Sequence, residues 1–400
     1  VQAVPVKAGV WWVGALDPSL RIFDIVMETR HGTTYNSYLV RGRSKTALIE
    51  TVKYGFESEL LQRVAGVVDP ATVDYIVLNH TEPDHSGALG RVLEAMPKAR
   101  VYASKAALKF LEEIVNRKFD AAEARDGETL DLGGLTLRFI AAPFLHWPDS
   151  MFTYLAEEKV LFSCDVFGCH YWDGHLFNDE AGDFGEAYRY YYDVIFSPFK
   201  KYVLEAVEKI RPLEIDVICH SHGPILRHNP RYYVGLYEEW SRQAPPEPQK
   251  KVLLAYASAY GYTRRLAEAI AEGIREAGVE ADLVDAGTTP PGAIMHRVEG
   301  ADGLLVGSPT INRDAVPPIW EMLAYVSPLI NRGKPAAAFG SYGWSGEAVK
   351  FIEQRLEALQ FRVVRPGLRV NLQPSDAALE EAREFGRRFA AAVLEVGEKA

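Results

Sequence analysis

From residue 252 onward, short apolar runs and longer amphipathic runs alternate without interruption, and few folds accommodate that pattern. Residues 252–257 read as a strand. Residues 263–277 read as a helix with Leu266, Ile270 and Ile274 on one face. Strands follow at 279–284, 303–307, 335–341 and 361–370. Helices follow at 317–329, opened by Pro317-Pro318, and at 346–359 and 375–396. Strands spaced by helices imply a parallel sheet covered on both faces, and about 150 residues suit one doubly wound domain.

The 400-residue chain is long enough for more than one such unit. Three prolines in four positions (Pro245, Pro246, Pro248) break helix and strand alike within the polar segment 243–250. This places a boundary near residue 249 and gives two expected domains, 1–249 and 250–400. The first is less regular. Strand-like runs stand at 25–27, 38–40, 47–50, 73–78, 135–142, 152–162 and 215–219, and helix-like runs at 60–68, 108–116 and 200–210. The halves also differ in chemistry: nine of the ten histidines precede residue 250, and only His296 follows it. The net charge of −10 argues against a general nucleic-acid binder. No apolar run approaches the ~18 residues of a membrane span, and residues 1–14 lack the layout of a signal peptide, so a cytoplasmic protein is expected. Three cysteines (Cys164, Cys169, Cys219) make neither a disulfide framework nor a four-thiolate iron site.

The chemistry concentrates in His80-Thr81-Glu82-Pro83-Asp84-His85, four metal-ligand types in six positions directly after an apolar strand. His146, Asp165 and His222 follow later strand-like runs in the same way. Loops at strand ends converge on one rim while the sheet keeps them rigid. So many ionisable groups beside apolar strands are costly to bury without a cation. Four imidazoles and three carboxylates exceed what one tetrahedral zinc takes, so two ions sharing a carboxylate fit better. Imidazole with carboxylate suits iron or manganese, and zinc stays open.

The second half carries Ser258-Ala259-Tyr260-Gly261-Tyr262-Thr263 between a strand and a helix, where backbone N–H groups and hydroxyls face a phosphate. The loop is similar to the flavodoxin phosphate loop, with Tyr262 where that loop commonly has Asn. Two further loops, Pro309-Thr310-Ile311-Asn312 and Ser341-Tyr342-Gly343-Trp344-Ser345-Gly346, follow later strands at the ends where doubly wound sheets bind ligands. Tyr342 and Trp344 are placed to flank a flavin ring. FMN is the expected ligand.

The pattern H-x-[EH]-x-D-H followed by H, D and H resembles the metallo-β-lactamase fold. With Glu82 at the second position, and with residues 32–40 (GTTYNSYLV), 145–150 (LHWPDS), 161–168 (LFSCDVFG) and 221–225 (SHGPI), it resembles the flavodiiron proteins over nearly the whole chain. The resemblance implies a metallo-β-lactamase-like αβ/βα sandwich followed by a flavodoxin-like domain, with two iron ions and FMN. It implies that His80, Glu82 and His146 bind one iron, that Asp84, His85 and His222 bind the other, and that Asp165 bridges them. It places His170 beside the open face and gives His220 no metal. The implied activity is reduction of O₂ to water, of NO to N₂O, or both. The implied donor is separate: a rubredoxin-like protein or reduced coenzyme F420, because a fused rubredoxin would need four cysteines. The family pairs head to tail, so a homodimer or homotetramer is expected. The rival is a dizinc hydrolase with an appended flavodoxin-like domain. Glu82 discriminates, because a hydrolase usually carries His there.

Overall fold

The computed structural model describes residues 2–24, 27–242 and 249–397. Chain contacts divide it into two units, Val1–Gln243 and Ala244–Ala400. Residues 243–248 of the proline-rich segment lie outside the described residues, as do positions 25 and 26 of the first expected strand.

The first unit is built on two sheets. One contains β1 (Val4–Lys7), β2 (Val10–Trp12), β3 (Tyr38–Arg41), β4 (Thr46–Ile49), β5 (Tyr75–Leu78), β6 (Arg100–Ala103) and β7 (Ala121–Glu123), in that spatial order. It is antiparallel from β1 to β4 and parallel from β4 to β7. The other contains β8 (Thr129–Asp131), β9 (Thr136–Ala141), β10 (Met151–Leu155), β11 (Val160–Cys164) and β12 (Val217–His220), again in order. Only β11 and β12 run parallel in it. The two-residue period of a strand sorts the side chains. Val40, Ala47, Ile49 and Val77 join Phe139, Leu155, Phe162 and Val217 in a core between the sheets. Leu39, Leu48, Ile76 and Leu78 face the other way, with Leu60 and Val64 of helix Glu57–Ala65 and Leu111 of helix Lys105–Val115. Ile140, Phe152, Leu161 and Ile218 join Val203 and Val207 of helix Lys200–Ile210 in the same way. The result is an αβ/βα sandwich.

The second unit orders its parallel strands as β14 (Glu280–Asp285), β13 (Lys251–Tyr256), β15 (Gly303–Gly307), β16 (Pro335–Tyr342) and β17 (Arg362–Val363), with β18 (Leu368–Asn371) also paired to β16. This is the 2-1-3-4-5 order of flavodoxin-like sheets. Both faces are covered. Leu253, Leu304, Val306 and Ala336 pack on Ile319, Met322 and Ile352 of helices Pro317–Tyr325 and Glu347–Ala358. Val252, Leu254, Leu305 and Phe339 pack on helices Tyr262–Glu276 and Asp376–Gly397. These last two helices meet at Gly273 and Gly386. A Cβ on Gly273 would sit 2.0 Å from the Arg383 carbonyl oxygen, and one on Gly386 2.2 Å from that of Ile270.

Three expected elements are each two. The run 152–162 is the hairpin β10–β11, turning through Ala156–Lys159, where Lys159 takes a positive φ of 54°. The turn Ala156–Lys159 carries neither glycine nor proline, so nothing in it marks a break between the two apolar runs. The run 317–329 is two helices, Pro317–Tyr325 and Pro328–Asn331, since Pro328 pushes Ser327 out of the helical region (ψ 122°). The run 361–370 is β17 and β18, interrupted at Arg365–Pro366–Gly367.

Candidate metal centre and flavin site

Every expected metal ligand follows a strand. His80 stands just past β5. Glu82 immediately precedes the single helical turn Pro83–Ser86, which carries Asp84 and His85. His146 lies between β9 and β10, Asp165 one residue after β11, and His222 two after β12. Proline at the first position of the Pro83–Ser86 turn sets the entry angle, so Glu82 turns toward His80 and His146 while Asp84 and His85 turn toward His222.

The seven side chains form two groups. In one, Glu82 Oε2 is 2.9 Å from His146 Nε2 and 3.4 Å from His80 Nε2. In the other, Asp84 Oδ2 is 2.9 Å from His222 Nε2 and 3.3 Å from His85 Nε2. Asp165 stands between them. Its Oδ2 is 3.7 Å from His80 Nε2 and 3.8 Å from His146 Nε2; its Oδ1 is 3.1 Å from His85 Nε2 and 3.3 Å from His222 Nε2. All but Glu82 and His146 are buried, and those two are nearly so.

These groups fit a pair of cations. Both Asp84 carboxylate oxygens, Asp165 Oδ2 and His85 Nε2 are buried and make no well-aligned hydrogen bond among the described residues, although nitrogens and oxygens of the cluster stand close by. Buried polar atoms are seldom left so, and here they converge on one another. Burial works against the charged Asp165 carboxylate, yet the His85, His222 and His80 rings outweigh it and hold the acid well below its ordinary range. Burial likewise disfavours a charged His222, but Asp165 and Asp84 push it up to about 10. Each base is held by an acid, which is the balance a bound cation satisfies.

A second ring of contacts fixes the ligands. His80 Nδ1 is 3.1 Å from Asp149 Oδ2, and that oxygen also accepts from the Thr81 N–H at 2.8 Å and the Thr81 hydroxyl at 2.7 Å. His222 Nδ1 is 2.7 Å from the Thr34 carbonyl, so each ring turns Nε2 inward. The Thr34 segment is itself pinned, since Gly223 N–H donates to the Thr34 hydroxyl and Asn36 donates to the His220 and Gly223 carbonyls. Tyr191 donates its hydroxyl to Asp165 Oδ1 at 3.1 Å. Asp24 reaches the Glu82 side, where burial and the charges of Glu82 and Asp84 push its acid up to about 6.

His170 lies against this centre, its ring 4.7 Å from that of His222 and 4.4 Å from that of Phe23. Its Nδ1 is 2.8 Å from the Thr33 hydroxyl, while Nε2 has no partner among the described residues. Burial and the His222 charge hold its pKa well below the ordinary value. His220 turns away and its Nε2 meets the Pro224 carbonyl at 2.8 Å. A third group, Glu50, His85 and Cys164, also lies close together, and burial pushes the metal-free Cys164 thiol well above its usual range. The cysteines are free and buried. Asp149, Tyr191, Asp24 and Thr34 were not read from the sequence. Asp149 and Thr34 lie inside the motifs at 145–150 and 32–40 and carry that signal; Tyr191 and Asp24 carry none.

In the second unit the three expected loops line one cleft. It is bounded by Ser258, Ala259, Tyr260, Tyr262 and Thr263, by Pro309, Thr310 and Ile311, and by Ser341, Tyr342 and Gly343. Leu372, just past β18, joins them and was not expected. Gly261, Asn312, Trp344, Ser345 and Gly346 lie outside the lining. Gly261 precedes helix Tyr262–Glu276 with φ 81°, the left-handed conformation that glycine takes without strain. Ser258 Oγ accepts from the Arg264 N–H at 3.2 Å, which leaves the first N–H groups of the helix toward the cleft. The Thr263 and Ser341 hydroxyls meet at 2.9 Å and tie two loops together. Tyr260 and Trp344 are 84% and 89% exposed, unusual for such large rings.

A family model described as "ODP family beta lactamase" matches residues 33–223, and one described as "Flavodoxin" matches 254–386. The chain is 47% identical to the type A flavoprotein fprA of Rhodobacter capsulatus, over 97% of this chain and 91% of that one. It is 40% identical to the flavo-diiron protein FprA2 of Clostridium acetobutylicum, over 98% and 100%. The chain belongs to the flavodiiron family. It is 38% identical to the anaerobic nitric oxide reductase flavorubredoxin of Aeromonas hydrophila, over 97% of this chain and 79% of that one. The solved rubredoxin oxygen:oxidoreductase of Desulfovibrio gigas superposes with a TM-score of 0.78 at 33% identity, covering both chains fully. As a flavodiiron protein the chain is an oxidoreductase whose cofactors are FMN and a non-haem diiron pair. Among the described residues, no helix is long and apolar enough to cross a membrane.

Proposed function

We propose that this flavodiiron protein reduces O₂ to water, NO to N₂O, or both, with electrons reaching the diiron centre through FMN. The reading rests on Asp165, whose two oxygens face two separate groups of ligands. His80, Glu82 and His146 would hold one iron and Asp84, His85 and His222 the other, with Asp165 placed to serve both. When bound, the ferrous pair supplies two electrons and reduced FMN two more, which matches the four that O₂ needs; two NO need two. Asp149 and the Thr34 carbonyl keep His80 and His222 in the tautomer that presents Nε2. His170 packs on the His222 ring beside the site, its buried Nε2 without a partner among the described residues. Phe23, Trp147 and Phe196 pack on His170, His80 and His146 and exclude water.

In the flavodoxin-like unit, the loop 258–263 takes the FMN phosphate at the helix N-terminus. Residues 309–312 and 341–346 border the ring, with Tyr342 and Trp344 as its flanking aromatics. The exposed Tyr260 and Trp344 suit a face covered by a second copy, in keeping with a head-to-tail homodimer or homotetramer. The donor is a rubredoxin-like protein or reduced coenzyme F420, and the setting is cytoplasmic. Neither nucleic acid nor membrane is a partner.

Substituting Asp165→Ala tests the centre. The expected protein binds less iron by metal analysis and loses turnover of both gases while its FMN is retained. Zinc without iron in the unaltered protein from metal-replete cells would favour the hydrolase instead.

A further inference from the structure

We propose that Leu372 is held in a strained backbone conformation that seats its side chain against the ring of FMN, where it sets the cofactor's affinity and potential. The proposal rests on the placement of FMN in the cleft of the second unit given above. Leu372 belongs to none of the three loops expected from the sequence. It stands just past β18 and lines the cleft together with Ile311, Tyr342 and Gly343.

Two features of Leu372 run against its residue type. Its φ is 51°, in the left-handed region that brings a Cβ too close to a carbonyl oxygen. The other non-glycine residues of positive φ described in this unit are Asn312, Arg313 and Gln360, so Leu372 is the apolar one among them. It is also 55% exposed. A lone exposed leucine is ordinary, and so is an isolated left-handed residue in a loop. Together they leave the backbone strained and an apolar side chain in water, with nothing gained inside the unit. A ligand that covers the side chain supplies the gain.

The conformation is locked. The Leu372 N–H donates to the Tyr342 carbonyl at 2.7 Å, and Asn371 Nδ2 donates to the Gly343 carbonyl at 2.6 Å. Both bonds tie residues 371 and 372 to the loop 341–346, so Leu372 keeps a fixed place beside Tyr342. The sheet decides which part of FMN it meets. Phe339 of β16 pairs with Gly307 of β15 on one side and with Leu368 of β18 on the other. β15 in turn pairs with β13, whose end carries the loop 258–263. From β13 to β18 is therefore three strand spacings, about 14 Å. Ser258 and Thr263 stand at the near end of the cleft and Leu372 at the far end. With its phosphate at 258–263, FMN reaches that far end with its ring. An aliphatic wall there keeps water off the ring. Flavin gains negative charge on reduction, and an apolar neighbour disfavours that charge, so Leu372 lowers the potential while it strengthens binding.

The test uses the full chain, freed of FMN and titrated with FMN, as wild type, Leu372→Asn and Leu372→Met. Asparagine accepts the left-handed conformation and offers no apolar wall; methionine keeps an apolar contact of similar volume. For Leu372→Asn, the FMN-free protein is expected to unfold at a midpoint no lower than wild type. Its FMN dissociation constant is expected to rise about 10-fold, and its flavin midpoint potential to become more positive. Leu372→Met is expected to bring affinity and potential back to near wild type. If Leu372→Asn leaves both the affinity and the potential unaltered, the side chain does not meet the ring and the proposal is wrong; weaker association of copies in sedimentation would then assign Leu372 to an interface between them. A lower unfolding midpoint for the FMN-free Leu372→Asn protein would also overturn it, because the leucine would then be a packing residue. If the wild-type chain binds no FMN, the flavin reading itself falls, and the proposal with it.

Discussion

At the scale of single residues, the centre depends on groups that touch no metal. Asp149 is completely buried, and its carboxylate holds His80 Nδ1 while accepting twice from Thr81. Removing such a partner costs roughly 10–100-fold in metal affinity. Asp149→Ala is therefore expected to weaken iron binding by that order in a chelator competition while leaving FMN affinity unchanged; an unaltered iron affinity would show that His80 needs no orienting acid. The ligands themselves were legible because four ligand types crowd into residues 80–85 and the remaining three repeat the strand-then-ligand order. Their supports were less so, Asp149 and Thr34 lying in motifs at 145–150 and 32–40 that do not say what they touch. Thr34 reaches His222 across 188 positions and Tyr191 reaches Asp165 across 26, and neither residue type marks itself. Nor does a sequence show that Asp165 turns one oxygen to each group; that follows only from the fold.

At the scale of elements, helix Tyr262–Glu276 must lie against helix Asp376–Gly397 for its N-terminus to open on the cleft. Gly273→Val places a branched side chain where even a Cβ meets the Arg383 carbonyl at 2.0 Å. A loss of about 1–3 kcal/mol or more is expected in denaturant unfolding followed by flavin release. Gly292→Ala, in helix Pro291–Glu299 with nothing within 4 Å, should cost nothing. Lys334 adds a pH signature. It is largely buried, donates to the Glu299 carbonyl at 2.8 Å, and burial lowers its pKa from 10.5 to about 8. The unfolded chain then binds more protons between those values, so stability rises as pH climbs from about 8 to 10.5. Wild-type unfolding midpoints should rise relative to Lys334→Met over that window, and parallel curves would count against the assignment. Regular elements were legible where apolar period and flanking glycine or proline agreed, as in β15, whose ends are both glycine. The hairpin β10–β11 was not, because the turn Ala156-Glu-Glu-Lys159 carries neither Gly nor Pro.

At the scale of the whole molecule, two chemistries share one chain. The acidic, histidine-rich half folds into the sandwich that gathers the metal ligands, and the alternating half folds into the sheet that gathers the flavin loops. The doubly wound parallel sheet of the second unit was legible from alternation, whereas its 2-1-3-4-5 strand order is set by the fold, since alternation is compatible with more than one order. The αβ/βα sandwich of the first followed only from the family resemblance, because its short strands leave no distinctive period, and the seven-strand and five-strand sheets come from the structure. The central claim is that the metals and the flavin work as one reductase, and it is tested most directly by reoxidation of the flavin. Reduced, iron-loaded protein is mixed anaerobically with NO and separately with O₂, beside metal-free protein carrying the same FMN. The account predicts that at least one gas reoxidises the flavin faster in the iron-loaded protein. Equal rates with and without iron, for both gases, would contradict it.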